Sequence, residues 1–190
     1  THAAHYPVGY PALVGALYAV LGAEPEIAML LNAVLGALAV LGAHRLAAAV
    51  STRRGAVLGA LAVALHPGLV AYTPALMTEG VVAALLVIAG GLVAEARLAV
   101  TASGGWAWRV ALGVLLGLAV LVRPQNLLAV PLLGLAAAGR PGWTAAGRSS
   151  VAVTLLALSL VLPWTLRNCF TMGTPGRFTP SACLLVSANA

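Results

Sequence analysis

Three charged residues stand alone at the ends of long apolar stretches. Glu79 begins one such stretch, Arg123 ends a second and Arg167 follows a third. A carboxylate can accept a proton as a general base, and arginine binds oxyanions through a planar fork of donors that stays charged. Isolated ionisable groups at membrane depth are functional candidates. We therefore begin with these three as candidates for acid–base chemistry and anion binding.

Each of these residues also has a purely structural explanation. Glu79 can stabilise the N-terminus of the helix that starts there, where a carboxylate is favourable by about 0.3–1 kcal/mol. Arg123 can extend its charged end to the lipid headgroups, and Arg167 can anchor a helix where it leaves the membrane. The sequence leaves both kinds of explanation open.

The composition places these residues in a membrane protein. Only 7% of the 190 residues are charged and 62% are hydrophobic, and the mean hydropathy is +1.03. A soluble domain is typically about 25% charged. The formal net charge of +6 does not indicate a nucleic-acid partner, because the arginines are divided among several loops. The expected surroundings are the lipid bilayer.

The apolar runs predict an all-α fold, a polytopic membrane helix bundle with about six transmembrane helices plus an N-terminal interfacial or re-entrant helix over about 8–22. One domain is expected, with an outer segment 1–26, a bundle 27–165 and an outer loop 166–190. Several runs are shorter than the ~20 residues of a full crossing. Pro124 leaves two alternatives, a turn between two short helices or one long kinked helix. The predicted spans are 27–43, 56–73, 79–94, 110–122, 126–138 and 149–165.

Clustered arginines set the predicted orientation. Basic residues are enriched in cytoplasmic loops, so the loop 44–54 and the loops 95–109 and 139–148 are expected on the inner side. Glu79, Arg123 and Arg167 then all fall on the outer side. His66-Pro67 lies within a predicted span and indicates a kink rather than a site.

Four stretches in chain order resemble the membrane-embedded C-type (GT-C) glycosyltransferases, which include bacterial protein O-mannosyltransferases and lipid A aminoarabinose transferases. The family has a Pro-Gly-Tyr-Pro-like run, a Thr-Glu element at a helix start, a Gly-Leu-Ala-x-Leu-x-Arg-Pro stretch and a Pro-Trp-x-x-Arg-Asn stretch. The matching stretches here are 5–11 (His-Tyr-Pro-Val-Gly-Tyr-Pro), 72–79 (Tyr-Thr-Pro-Ala-Leu-Met-Thr-Glu), 117–124 (Gly-Leu-Ala-Val-Leu-Val-Arg-Pro) and 163–168 (Pro-Trp-Thr-Leu-Arg-Asn).

The resemblance implies that a sugar passes from a polyprenyl-phosphate donor to an acceptor glycan, lipid or protein. The location it implies is the outer face of the bacterial plasma membrane. Arg123 and Arg167 would then bind the donor phosphate, which gains charge as it leaves, and Glu79 would be the catalytic candidate within this chain. The family's principal carboxylate lies in the first outer loop, which would precede Thr1.

The same resemblance implies supporting residues around the donor. Tyr6, Tyr10 and Asn168 are the candidates to line the substrate site; the alternatives are an interfacial position for the two tyrosines and a capping role for Asn168. A divalent metal ion is the cofactor it suggests, and His5 is the candidate ligand, since imidazole binds zinc and similar ions well. One histidine alone does not make a metal site, and a surface role for His5 is the alternative.

Two other classes of protein compete with the enzyme. A secondary transporter or lipid flippase also has Pro- and Gly-broken helices and isolated charges. It should place a charge or an unwound helix near the bilayer centre. An inactive structural membrane subunit is the third possibility.

Overall fold

The computed structural model describes residues 7–98, 105–138 and 143–172, which are almost entirely helical and contain no strand. Four of the predicted spans, 27–43, 79–94, 110–122 and 149–165, each lie within one helix. The span 56–73 is divided between two helices, and the span 126–138 covers parts of a 3₁₀ helix and of the α-helix that follows it. The eight α-helices and one short 3₁₀ helix follow in chain order: α1 Gly9–Leu21, α2 Pro25–Ala48, α3 Arg53–Ala64, α4 Pro67–Ala75, α5 Thr78–Leu98, α6 Gly105–Val122, the 3₁₀ helix Pro124–Leu128, α7 Ala129–Ala137 and α8 Trp143–Met172.

Three helices in this part of the chain are long and apolar enough to cross a membrane: Pro25–Ala48, Thr78–Arg97 and Trp143–Asn168. The pair α3 and α4 makes a fourth if its two bent halves form one span. The described residues therefore form a helical bundle suited to a membrane. Helix α1, at 13 residues, is about 20 Å long against a hydrocarbon core of ~30 Å, which fits the predicted interfacial helix.

Helices α3 and α4 each begin at a side chain that accepts a hydrogen bond from the first turn. The Thr52 hydroxyl accepts a hydrogen bond from the Gly55 N–H at 3.3 Å at the start of α3. His66 Nδ1 accepts one from the Leu69 N–H at 3.3 Å, and Pro67 then opens α4. The resulting break bends the α3–α4 pair by 42°, which confirms the kink predicted at His66-Pro67.

Glycines allow the long helices to touch. A Cβ atom on Gly91 of α5 would lie 2.7 Å from the Gly42 Cα of α2, and one on Gly113 of α6 would lie 2.6 Å from the Leu156 Cβ of α8. Small residues at such contacts let helix backbones approach closely in membranes. These contacts fix α2 on α5 and α6 on α8.

The chain turns back after α6 rather than continuing as one kinked helix. A Cβ on Gly113 of α6 and a Cβ on Gly134 of α7 would each lie 3.3 Å from an atom of the same residue, Val153 of α8. A helix running straight through both glycines would separate them by about 30 Å. The reversal is at Arg123, whose backbone is extended (φ −148°, ψ 111°).

The arginine-rich segments lie at one end of the bundle, and Glu79 and Arg123 lie at the other. Arg45 near the end of α2 pairs with Glu95 near the end of α5 at 2.9 Å, so both C-termini share one end. The arginines that lie next to that end along the chain are Arg53, Arg54 and Arg97. The Gly113–Val153 contact places the N-termini of α6 and α8 side by side, and Glu79 and Arg123 lie at the far ends of α5 and α6. This separation agrees with the predicted arginine clusters, except that Arg140 is outside the described residues.

Candidate functional site

Arg123 joins the turn after α6 to the first residues of α5. Its Nε donates a hydrogen bond to the Thr78 Oγ1 at 3.1 Å, and its Nη2 donates to the Glu79 Oε1 in an ion pair. The Thr78 hydroxyl donates in turn to Glu79 Oε2 at 3.5 Å. Two of the three isolated charges in the sequence are therefore direct partners, although 44 residues separate them along the chain.

Both sides of this pair are held by local backbone features. Asn126 is buried and its Nδ2 donates to the Ala119 carbonyl at 2.9 Å, which ties the turn after Arg123 back onto α6. Glu79 lies in the first turn of α5, where the helix dipole favours a carboxylate. Leu76, in the left-handed region at φ 52°, ends α4 just before it.

The Arg123–Glu79 pair is partly exposed at the surface of the bundle. The side chains of Arg123 and Glu79 are 30% and 43% exposed. An ion pair at this level of exposure is worth little as a stabiliser, roughly 0–1 kcal/mol. Its partners can therefore be exchanged for a charged ligand at small cost to the fold.

A second polar network supports the same end of the bundle. The Tyr10 hydroxyl donates to Asn32 Oδ1 at 3.3 Å, and Asn32 Nδ2 donates to the Thr73 carbonyl at 3.1 Å. Tyr10 and Asn32 are both buried. The network connects α1, α2 and α4. Its last member, Thr73, shortly precedes Thr78 and Glu79 along the chain.

Close packing brings α1 to the same region. A Cβ on Gly9 would lie 2.5 Å from the backbone of Leu121 and of Val122, directly before Arg123. Tyr10, a predicted lining residue, is therefore placed near the predicted phosphate-binding arginine. Its hydroxyl is hydrogen-bonded to Asn32 within the bundle.

Arg167 and Asn168 contact each other near the end of α8. The Arg167 Nη1 donates to Asn168 Oδ1 at 3.2 Å, and the Arg167 Cζ lies 4.7 Å from the centre of the Trp164 ring. Asn168 is buried. Because α6 and α8 are parallel and Gly117 packs against Ala157, the register places Arg123 level with residues 163–166, close to one turn before Arg167.

The remaining predicted site residues, His5 and Tyr6, lie outside the described residues. Within the described ranges, no group of three or more His, Cys, Asp or Glu side chains could hold a metal ion. The metal site expected at His5 therefore stays a prediction.

An apolar cavity of about 250 Å³ adjoins the polar end of the bundle. Helices α2 and α5 touch at Gly42 and Gly91. The cavity lies between these helices on the side of that contact nearer to Asn32 and Gly80, and residues of α3 and α4 line its side. Gly80, which follows Glu79, lies on its wall. The other lining residues include Asn32, Gly36, Val40, Val63, Leu69, Val70, Tyr72, Thr73, Val81, Ala84 and Val87.

Asn32 was not among the predicted site residues, but the structure places it at the centre of the Tyr10–Asn32–Thr73 network. It is the one polar side chain in the predicted span 27–43. A buried polar group in a membrane helix needs a hydrogen-bond partner. That requirement was the signal by which Asn32 could have been found.

The arrangement combines a cation, a carboxylate and a hydroxyl with an adjacent apolar cavity. Such a site can hold an amphiphile whose anionic group meets Arg123 and whose hydrocarbon part lies among apolar side chains. Comparison with protein-family models, with curated proteins and with solved structures finds no match to this chain.

Proposed function

We propose that the protein transfers a sugar from a polyprenyl-phosphate donor to a glycan, lipid or protein acceptor at the outer face of a bacterial plasma membrane. The observation that carries the proposal is the Arg123–Glu79–Thr78 cluster, where the shorter apolar helix α6 ends and the membrane-length helix α5 begins. The apolar cavity next to it supports a donor with a long hydrocarbon chain. About six crossings and an outward-facing site are part of this proposal.

Arg123 has the leading role in donor binding. The donor phosphate replaces the Glu79 carboxylate as the partner of the guanidinium, which is feasible because the ion pair is partly exposed. As the bond between the sugar C1 and the phosphate oxygen breaks, the phosphate leaves with the electron pair and its charge grows. A fixed cation at that point stabilises the transition state, and Arg167 supplies a second cation from the end of α8.

Release from Arg123 frees the Glu79 carboxylate. The acceptor oxygen or nitrogen forms the new bond to C1 and gives its proton to a carboxylate base. Glu79 is the candidate for that base in this chain, or for orienting the acceptor beside another base. Tyr10, Tyr6 and Asn168 line the substrate, and a divalent metal ion held by His5 remains part of the proposal.

One observation favours a transporter as the second candidate. The α3–α4 span is broken at His66, and the break lies beside the cavity, as in the discontinuous helices of transporters. The described helices show the polar cluster of Arg123 and Glu79 at one end of the bundle, however, and not beside this break. We therefore rank lipid transport below sugar transfer.

The two functions separate in one experiment. The purified protein is reconstituted into liposomes with a panel of radiolabelled polyprenyl-phosphate sugars and a mixture of acceptors. Sugar transfer requires a labelled product that the empty liposomes do not form. Movement of the donor across the bilayer with the sugar still attached identifies a flippase and contradicts the proposal.

A further inference from the structure

Two buried polar atoms at the opposite end of the bundle lack a partner. Across the described ranges, Arg109 Nε and Ser149 Oγ are the buried side-chain nitrogen and oxygen atoms without a hydrogen bond. Ser149 is only 1% exposed. A buried polar group left without a partner is unfavourable, and both groups are donors, so a ligand that accepts hydrogen bonds from them would satisfy both.

The helix register places the two residues on facing surfaces. Gly113 of α6 packs against Val153 of α8, and Gly117 packs against Ala157. Residues four apart share one face of a helix. Arg109 lies four residues before Gly113 and Ser149 lies four residues before Val153, so each occupies the contacting face of its helix, one turn before that contact.

The local field at this point is positive. Helices α6 and α8 are parallel, so their N-termini, each carrying a partial charge of roughly +0.5, point to the same end. Arg148 is exposed beside Ser149, and the Arg109 guanidinium stacks on Trp108 at 5.1 Å from the ring centre. A cation near the positive end of a helix dipole is unfavourable unless an anion accompanies it.

Exposed tryptophans indicate the depth of this point in the membrane. Trp106 and Trp143 are 61% and 92% exposed, and they lie at the starts of α6 and α8. Tryptophan is enriched at the level of the lipid headgroups. Arg109 and Ser149 lie one to two turns deeper than these rings, within reach of a phosphate at that level.

We propose that Arg109 and Ser149 form a binding site for a phosphate-class oxyanion at the arginine-rich end of the bundle. The guanidinium Nε–H and the serine hydroxyl both donate to the oxyanion. The oxyanion is either the headgroup phosphate of an anionic phospholipid or free inorganic phosphate. The site is separate from the Arg123–Glu79 cluster and does not depend on the proposed sugar transfer.

The test uses the protein without substitutions (the parent), purified and delipidated in detergent, with two probes. Native mass spectrometry measures binding of phosphatidylglycerol against the neutral lipid phosphatidylcholine, and thermal unfolding is followed with and without inorganic phosphate. The variants are Arg109→Gln and Ser149→Ala, and Arg54→Gln is the control because it removes an exposed arginine at the start of α3. Ser149→Ala removes one oxygen atom, so it tests the site even where Arg109→Gln impairs folding.

We expect each site variant to weaken binding of the effective probe about tenfold, the effect of losing one charge-assisted hydrogen bond, and the control to bind as the parent does. Preferential binding of phosphatidylglycerol identifies a lipid headgroup. Stabilisation by phosphate that both site variants lose identifies a free anion. The proposal is wrong if Arg109→Gln and Ser149→Ala bind phosphatidylglycerol and inorganic phosphate as tightly as the unsubstituted protein does. It is also wrong if Arg54→Gln loses as much binding as these two variants.

Discussion

Replacing Arg123 by alanine is expected to weaken binding of the polyprenyl-phosphate donor by about 100-fold, while the protein still folds. The guanidinium supplies a fixed charge and two donors, and removing a single donor from an oxyanion site typically costs about 10²–10³ in rate. Its present partners, Thr78 and Glu79, are partly exposed, so water can replace it. Donor affinity and sugar transfer are measured side by side in Arg123→Ala and in the unsubstituted protein.

Two further variants define what this result means. Arg123→Lys keeps the charge but not the planar fork, so we expect an intermediate loss. Arg54→Ala removes an exposed arginine at the other end of the bundle and should leave transfer unchanged. Normal donor affinity and normal rate in Arg123→Ala would show that the side chain only anchors the helix.

Glu79→Gln is expected to reduce the rate of sugar transfer by about 100-fold with little change in donor affinity. A general base contributes about 10²–10⁴ in rate, and glutamine keeps the size of the side chain and a hydrogen-bond acceptor for Arg123. The loss should therefore appear in kcat rather than in the KM for the donor. A structural role as a helix-start carboxylate would lower stability slightly and leave kcat unchanged.

The matched control for this variant is Glu26→Gln. Glu26 is exposed, lies in the first turn of α2 and belongs to the same end of the bundle as Glu79. It has the same relation to its helix dipole, so it isolates the contribution of the helix start. Equal effects of the two substitutions would remove Glu79 from the site.

The helical segments could be predicted because apolar runs and breaking residues determine them locally. Each predicted span is helical over most of its length, and His66-Pro67 breaks the predicted span 56–73 where expected. The ends were less predictable. Helix α8 continues to Met172 instead of ending near residue 165, and Arg167 contacts both Trp164 and Asn168 in its last turns.

The grouping of Glu79 and Arg123 was predictable only as a shared end of the bundle. Their ion pair depends on the turn at Arg123 and on the packing of Gly9 against Leu121, which are contacts between distant parts of the chain. The role of Asn32 was not predicted for the same reason, because its partners Tyr10 and Thr73 are determined by tertiary packing. Apolar periodicity contains no information on such pairs.

The most direct measurement of the central claim is a map of where the donor binds. A polyprenyl-phosphate sugar with a photoreactive group next to the phosphate is crosslinked to the unsubstituted protein in membranes. The labelled peptides are then identified by mass spectrometry. The account predicts labelling within 72–80 and 119–128, suppressed by excess natural donor and strongly reduced in Arg123→Ala. Labelling that avoids both segments, or that Arg123→Ala leaves unchanged, would contradict it.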